Sequence, residues 1–182
     1  MASDEYFQRT LENAERLWSD SKFLNDEARS RSAIILAIFA IEELGKALIT
    51  KWGVRNLASK REHPTHVEKQ TATFALLSAD EILKKDRVRV RKHIERGTFD
   101  FLKIGPMSHQ FAWARGGFFD DVRMAATYAD KEPKIPDDLT DSIDTNLVDE
   151  LHRWFRNAVA ASKNQEAMSL AAAFYQNGLG RL

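Results

Sequence analysis

The chain's 182 residues suffice for one domain whose core hides roughly 70% of the unfolded surface. Its 27 basic and 27 acidic side chains cancel, which excludes a global attraction to nucleic acid or anionic membrane and leaves only local patches for a polyanion. The absence of cysteine excludes a disulfide framework, thiolate metal ligation and a cysteine nucleophile; the acidic, polar start MASDEYFQRT is no secretory signal, so a cytoplasmic protein is expected.

Helix formers dominate, and glycine and proline are few and clustered. Apart from a brief RVRVR, no period-2 run is bounded by turn signals. The expected fold is therefore all-α, a single domain over 1–182 built as a bundle of four to six helices. The first helix should start near Ser3 or Asp4 and run to about Leu24, with Tyr6, Thr10 or Leu11, Ala14, Leu17 and Trp18 at helical spacing. The second is expected from about Asp26 to Trp52, stopped by Gly53. Its middle, Ala33 to Ile41, is apolar throughout, which marks the central helix of a bundle. That run is about half the length of a membrane span.

The apolar run leads straight into Glu42, Glu43 and Lys46. At about 100° per residue, Glu42 shares a face with Ile35, Ile38, Phe39 and Ile49. A carboxylate buried there must be paired or hydrogen-bonded. Lys46, four residues from Glu42 and three from Glu43, is the local partner available to either.

A basic connection, Arg55 to Arg61, comes next. Pro64 disfavours helix at His63, and Thr65-x-x-Glu68 is a capping box that predicts a third helix. Val67, Thr71, Phe74, Ala75 or Leu77, and Ile82 give it an apolar stripe to about Lys84. His66, Lys69, Gln70 and Thr73 share a different, polar face. Asp86 to Phe119 should be irregular, with short helices and loops, basic and aromatic residues, and turns at Gly97, Gly105-Pro106 and Gly116-Gly117. A short helix over Phe118 to Ala129 precedes the loop DKEPKIPDD. The last helix is expected from Thr140 or Asp141 to Gln176, with Gly178 as terminator.

Three features are candidates for chemistry. Glu42, Glu43 and Lys46 form one; by spacing alone a helical salt bridge explains them, but the apolar neighbours of Glu42 argue for more. The second is Arg61, His63, His66 and Lys69. A histidine at a helix N-terminus faces the positive end of the macrodipole, which favours the neutral imidazole that a general base needs, and the nearby cations suit a phosphate. A solvated helix start is the plainer and more frequent explanation. His63-x-x-His66 with Glu42 or Glu43 also has the residue types of a divalent-metal site, but the chain holds no Glu-x-x-His motif of the di-iron kind, and no metal or cofactor is expected. The third is the basic, aromatic stretch Lys84 to Trp113, where most residues are explained as a solvated face followed by core aromatics. Arg87, Arg89 and Arg91 are kept as candidate RNA contacts.

The succession of Phe39 to Lys46 (FAIEELGK), a basic loop, His66 to Lys69, and then Arg123, Tyr128 and Asp130 before Pro136 resembles the AbiV-type abortive-infection proteins of the all-α HEPN superfamily. The resemblance spans most of the chain and is most specific at E-E-L-G-K. It implies a HEPN-like helical bundle acting in phage defence, a homodimer, and a metal-independent endoribonuclease toxin. The Arg61 to His66 spacing also meets the Arg–His signature of such nucleases. On this reading His66 is the acid/base, and Lys46, Lys69 and Arg61 stabilise the phosphorane-like charge. Glu42 and Glu43 orient Lys46 or His66, or act as the complementary acid/base. The alternative is a non-catalytic helical module that binds a phage or host protein, or an antitoxin, with Glu42 and Lys46 as a structural pair. Whether His66 and Lys69 meet Glu42 and Lys46 in space is the geometric question that separates a composite site from a coincidence of residues.

Overall fold

A computed structural model of the chain describes residues 2–54, 63–95, 108–128 and 147–179. Among the described residues it contains seven helices and no strand: α1 (Ala2–Asp26), α2 (Ser30–Trp52), α3 (His66–Glu95), α4 (Ser108–Arg115), α5 (Phe118–Thr127), α6 (Leu147–Ala161) and α7 (Gln165–Leu179). The fold is all-α, with one helix more than the upper end of the expected range.

The additional helix has a local cause. The N–H groups of Lys163 and Asn164 bond back only three residues, to the carbonyls of Ala160 and Ala161 (3.3 and 2.9 Å), which tightens and ends α6. The Asn164 Oδ1 then accepts from the N–H groups of Glu166 and Ala167 (3.1 and 3.4 Å), an N-cap that starts α7. The expected long last helix is therefore two, and Gly178 lies inside α7 instead of terminating it. The expected start at Thr140 or Asp141 lies outside the described residues.

RVRVR is corrected in the opposite direction. It is helical, and α3 continues to Glu95, because no breaker stands before Gly97 and each valine costs only tenths of a kcal/mol in a helix. The start of α2 moves to Ser30 because the chain first turns at Asn25 to Arg29. There Arg29 N–H bonds the Leu24 carbonyl (2.8 Å) and Ala28 takes φ 58°. Its end is as expected: Gly53 adopts φ 64° and donates to the Thr50 carbonyl (3.2 Å).

α2 packs against α1, α3, α5, α6 and α7, so its all-round apolar character is a consequence of position. Ile38, Ile41, Leu44 and Leu48 are fully buried. On α3 every residue from Thr71 to Asp80 is buried. Phe74 stacks on Phe119 of α5 at 4.7 Å, and Trp154 of α6 meets both rings edge-on at 5.5 and 5.9 Å. These aromatic contacts fix α3 against the rest of the bundle and leave its N-terminal turn beside α2. No described helix is long and apolar enough to cross a membrane.

Candidate active site

α2 and α3 run antiparallel where they meet, since Ile41 pairs with Thr73 while Gly45 pairs with Lys69. The Thr73 hydroxyl donates to the Ile41 carbonyl at 2.8 Å. A Cβ placed on Gly45 would stand 1.8 Å from the Lys69 carbonyl oxygen, so only glycine permits this approach. The glycine of E-E-L-G-K is thus a spacing device between two backbones.

The close approach carries Glu42 into the first turns of α3. Its side chain is 4% exposed, and both carboxylate oxygens are occupied. Oε2 lies 2.6 Å from His66 Nδ1, and Oε1 accepts from Gln70 Nε2 at 2.9 Å. An ionised carboxylate only accepts, so Nδ1 carries the hydrogen and the second ring nitrogen, Nε2, is left for chemistry. The His66 side chain is 48% exposed. A buried carboxylate thus holds a surface imidazole by its inner nitrogen.

His66 is positioned by the capping box foreseen from sequence. Thr65 N–H donates to Glu68 Oε2 at 2.6 Å, and Glu68 N–H donates to Thr65 Oγ1 at 3.3 Å. This makes His66 the first residue of the helix, and Gln70 follows one turn later on the same side. The face of His66, Gln70 and Thr73 is polar because it bonds α2: Gln70 and Thr73 are both fully buried.

Glu43 turns the other way, towards α1. It pairs with Lys46 (3.4 Å to each oxygen) and accepts from Asn13 Nδ2 at 3.2 Å. Lys46 also lies 5.9 Å from the centre of the Tyr6 ring. Burial by itself would depress the Lys46 ammonium, but Glu43 and Tyr6 outweigh it and raise the pKa above the ordinary lysine range. Lys46 is therefore a fixed cation, suited to charge stabilisation and not to proton transfer.

The structure thus joins Glu42 to His66 and Glu43 to Lys46: of the two partners that spacing offered Lys46 it takes Glu43, and the Glu42–Lys46 pair of the non-catalytic alternative is not formed. The carbonyl of Lys69 packs on Gly45, and its half-buried side chain makes no ion pair among the described residues. Arg61 lies outside the described residues. Arg87 is bonded to Glu166 of α7 (2.8 Å), far along α3 from His66. Arg89 and Arg91 belong to α3, with side chains outside the described set. Among the described residues, no three His, Asp or Glu side chains converge as a metal ion would require. Sequence reasoning gave Gln70 and Asn13 no role. Gln70 was legible as a residue four after His66 on one polar stripe; nothing in the sequence pointed to Asn13.

The protein is an all-α bundle whose central helix carries two adjacent carboxylates, one of which holds a histidine across a glycine-spaced crossing. The family model of the HEPN group described as AbiV matches residues 2–142, and the chain belongs to that family. No curated protein and no solved structure matches it.

Proposed function

We propose that this abortive-infection HEPN protein is a metal-independent endoribonuclease whose acid/base is His66. The observation that carries the reading is the 2.6 Å bond from His66 Nδ1 to the buried Glu42, with the rest of the imidazole at the surface. In that arrangement Nε2 removes the proton from a ribose 2′-hydroxyl or returns one to the leaving 5′-oxygen. Glu42 fixes the tautomer and stabilises the imidazolium that forms. Gln70 keeps the second carboxylate oxygen from turning away. Lys69, one turn from His66, and Lys46, one turn from Glu42, are the cations available for the phosphorane-like charge. The products are a 2′,3′-cyclic phosphate and a 5′-hydroxyl end. A homodimer, expected of the family, would set two such sites around one strand; light scattering on the purified protein tests it.

The direct test is incubation with total RNA in the presence of a chelator, followed by end-group analysis. His66→Ala should lower cleavage by about a hundredfold or more, and undiminished cleavage by that variant would falsify the assignment. A second reading keeps the same contacts as a latch between α2 and α3 in a non-catalytic module that binds a phage, host or antitoxin protein. The burial of Gln70 and the Gly45 contact favour it. It expects no cleavage by wild type, and a loss of stability, without a loss of function, from changes at Glu42.

A further inference from the structure

α1 and α3 flank the same half of α2. Asn13 bonds Glu43 (3.2 Å) and Asp4 pairs with Lys51, so α1 runs antiparallel to α2 with its first turns beside Lys46. α3 is antiparallel as well, with His66 at its start and Lys69 against Gly45. The first turns of both helices therefore border one groove, and its floor is α2 from Glu42 to Lys51. At about 100° per residue, Lys46 projects about 40° from Glu42 and about 60° from Glu43, between the directions of α3 and α1. Lys46 is thus the cation on the groove's floor.

The α1 wall carries an open aromatic ring. Among the described residues, the exposed phenylalanine and tyrosine rings are Phe23, Tyr128 and Tyr6, at 65%, 48% and 40%. A lone exposed ring is ordinary on a protein surface; what distinguishes Tyr6 is its place. Its ring centre lies 5.9 Å from Lys46 Nζ. Phe23 is roughly 25 Å further along α1 at 1.5 Å per residue, and Tyr128 ends α5. Lys46 gives only part of its three N–H donors to Glu43 (3.4 Å to each oxygen). Its side chain is 36% exposed, so a phosphate reaches it with the Glu43 pair intact. On the α3 wall stands Lys69, half-buried and without an ion pair among the described residues.

An exposed ring beside cations suits single-stranded nucleic acid, since every base has a face that stacks and the cations follow the phosphates. In a duplex those faces already stack on one another, and the ring finds nothing to take. We infer that Tyr6 is the platform on which one base of a single-stranded RNA stacks, with the adjoining phosphates towards Lys46 and Lys69. This rests on the RNA reading of the His66 site and adds to it a residue that selects unpaired strand.

Fluorescence anisotropy with a fluorescein-labelled single-stranded RNA dodecamer tests the platform. The full chain carries His66→Ala, which keeps the probe whole, and chelator is present. In that background Tyr6→Leu should weaken binding by about fivefold to a hundredfold, the range for one lost base stack. Tyr6→Trp should bind at least as tightly as tyrosine. Phe23→Leu, which removes an exposed ring from the far end of the same helix, should change nothing. Lys46→Gln should lower the slope of log affinity against log salt by about 0.7, and Tyr6→Leu should leave that slope unaltered. The duplex of the same sequence should bind more weakly than the single strand.

The proposal is overturned if the single strand does not bind, if the duplex binds equally well, or if Tyr6→Leu behaves like Phe23→Leu. A Tyr6→Trp variant as weak as Tyr6→Leu also overturns it and makes Tyr6 a support of the fold. Tyr6-dependent binding by a wild-type chain that cleaves nothing keeps the platform and removes the ribonuclease reading. Cleavage indifferent to Tyr6→Leu does the reverse.

Discussion

Glu42 and Glu43 are neighbours in sequence, yet they live in different media. Glu42 faces α3, is sealed from water, and satisfies both oxygens with the side chains of His66 and Gln70. Glu43 faces α1, is half-buried, and shares its charge with Lys46 and Asn13 near the surface. A turn of about 100° between consecutive residues is enough to separate a buried carboxylate that holds a histidine from a helical salt bridge. The comparison teaches that the value of a charge in this bundle is set by which neighbouring helix it meets.

The largest effect that tests this contrast should come from Glu42→Ala. It strands a buried Gln70 amide and releases His66, and by analogy with broken buried pairs should cost about 3–5 kcal/mol. Urea denaturation would show it as a lower midpoint. A cost no larger than that of the Glu43 variant below would erase the distinction between the two carboxylates.

Gly45→Ala comes next. Alanine is the better helix former by about 1 kcal/mol, but a Cβ 1.8 Å from a backbone oxygen cannot be relieved by a side-chain rotation. The expected net loss is about 1–3 kcal/mol, accompanied, on the proposed ribonuclease reading, by a fall in cleavage because α3 must retreat from Glu42. If the melting temperature rises instead, the glycine is not the spacer described above.

The α1 side offers a subtler test at His152. The Ser21 hydroxyl gives its proton to the Ala33 carbonyl at 2.6 Å, so it accepts from His152 Nε2 at 2.7 Å. Burial, opposed by the charges of Asp149 and Asp26 and helped by that of Lys22, holds the His152 pKa below the ordinary 6.5. As pH falls, the unfolded chain therefore takes up the proton first. This contribution to stability is complete above 6.5 and is lost as pH drops below it. His152→Gln should lessen the fall in melting temperature between about pH 7.5 and about pH 5.5. An unchanged slope would remove His152 from the account.

The smallest effect belongs to Glu43→Ala, whose partner Lys46 is more than a third exposed. It should cost about 0–1 kcal/mol and respond to salt, as surface pairs do. Should the loss in melting experiments match that of Glu42→Ala, the α1 side is as sealed as the α3 side.

Much of this molecule was legible from the order of residues. The apolar run Ala33 to Ile41 announced a central helix, Thr65 and Glu68 announced the start of α3, and Gly53 announced the end of α2, because periodicity and capping are local properties. The burial of Glu42 was also implied by the isoleucines on its face. Local rules failed where competing signals were close in strength. Asn164 outweighed the helical run from Leu147 as an N-cap, and the valines of RVRVR were too weak to interrupt α3.

The partners of the charges were decided by tertiary structure alone. Sequence spacing offered Lys46 to both glutamates equally, and only the crossing at Gly45 sends Glu42 to a histidine twenty-four residues away. Hydrogen-bond capture across a helix interface depends on backbone separation to within a fraction of an ångström, and no one-dimensional pattern contains that distance.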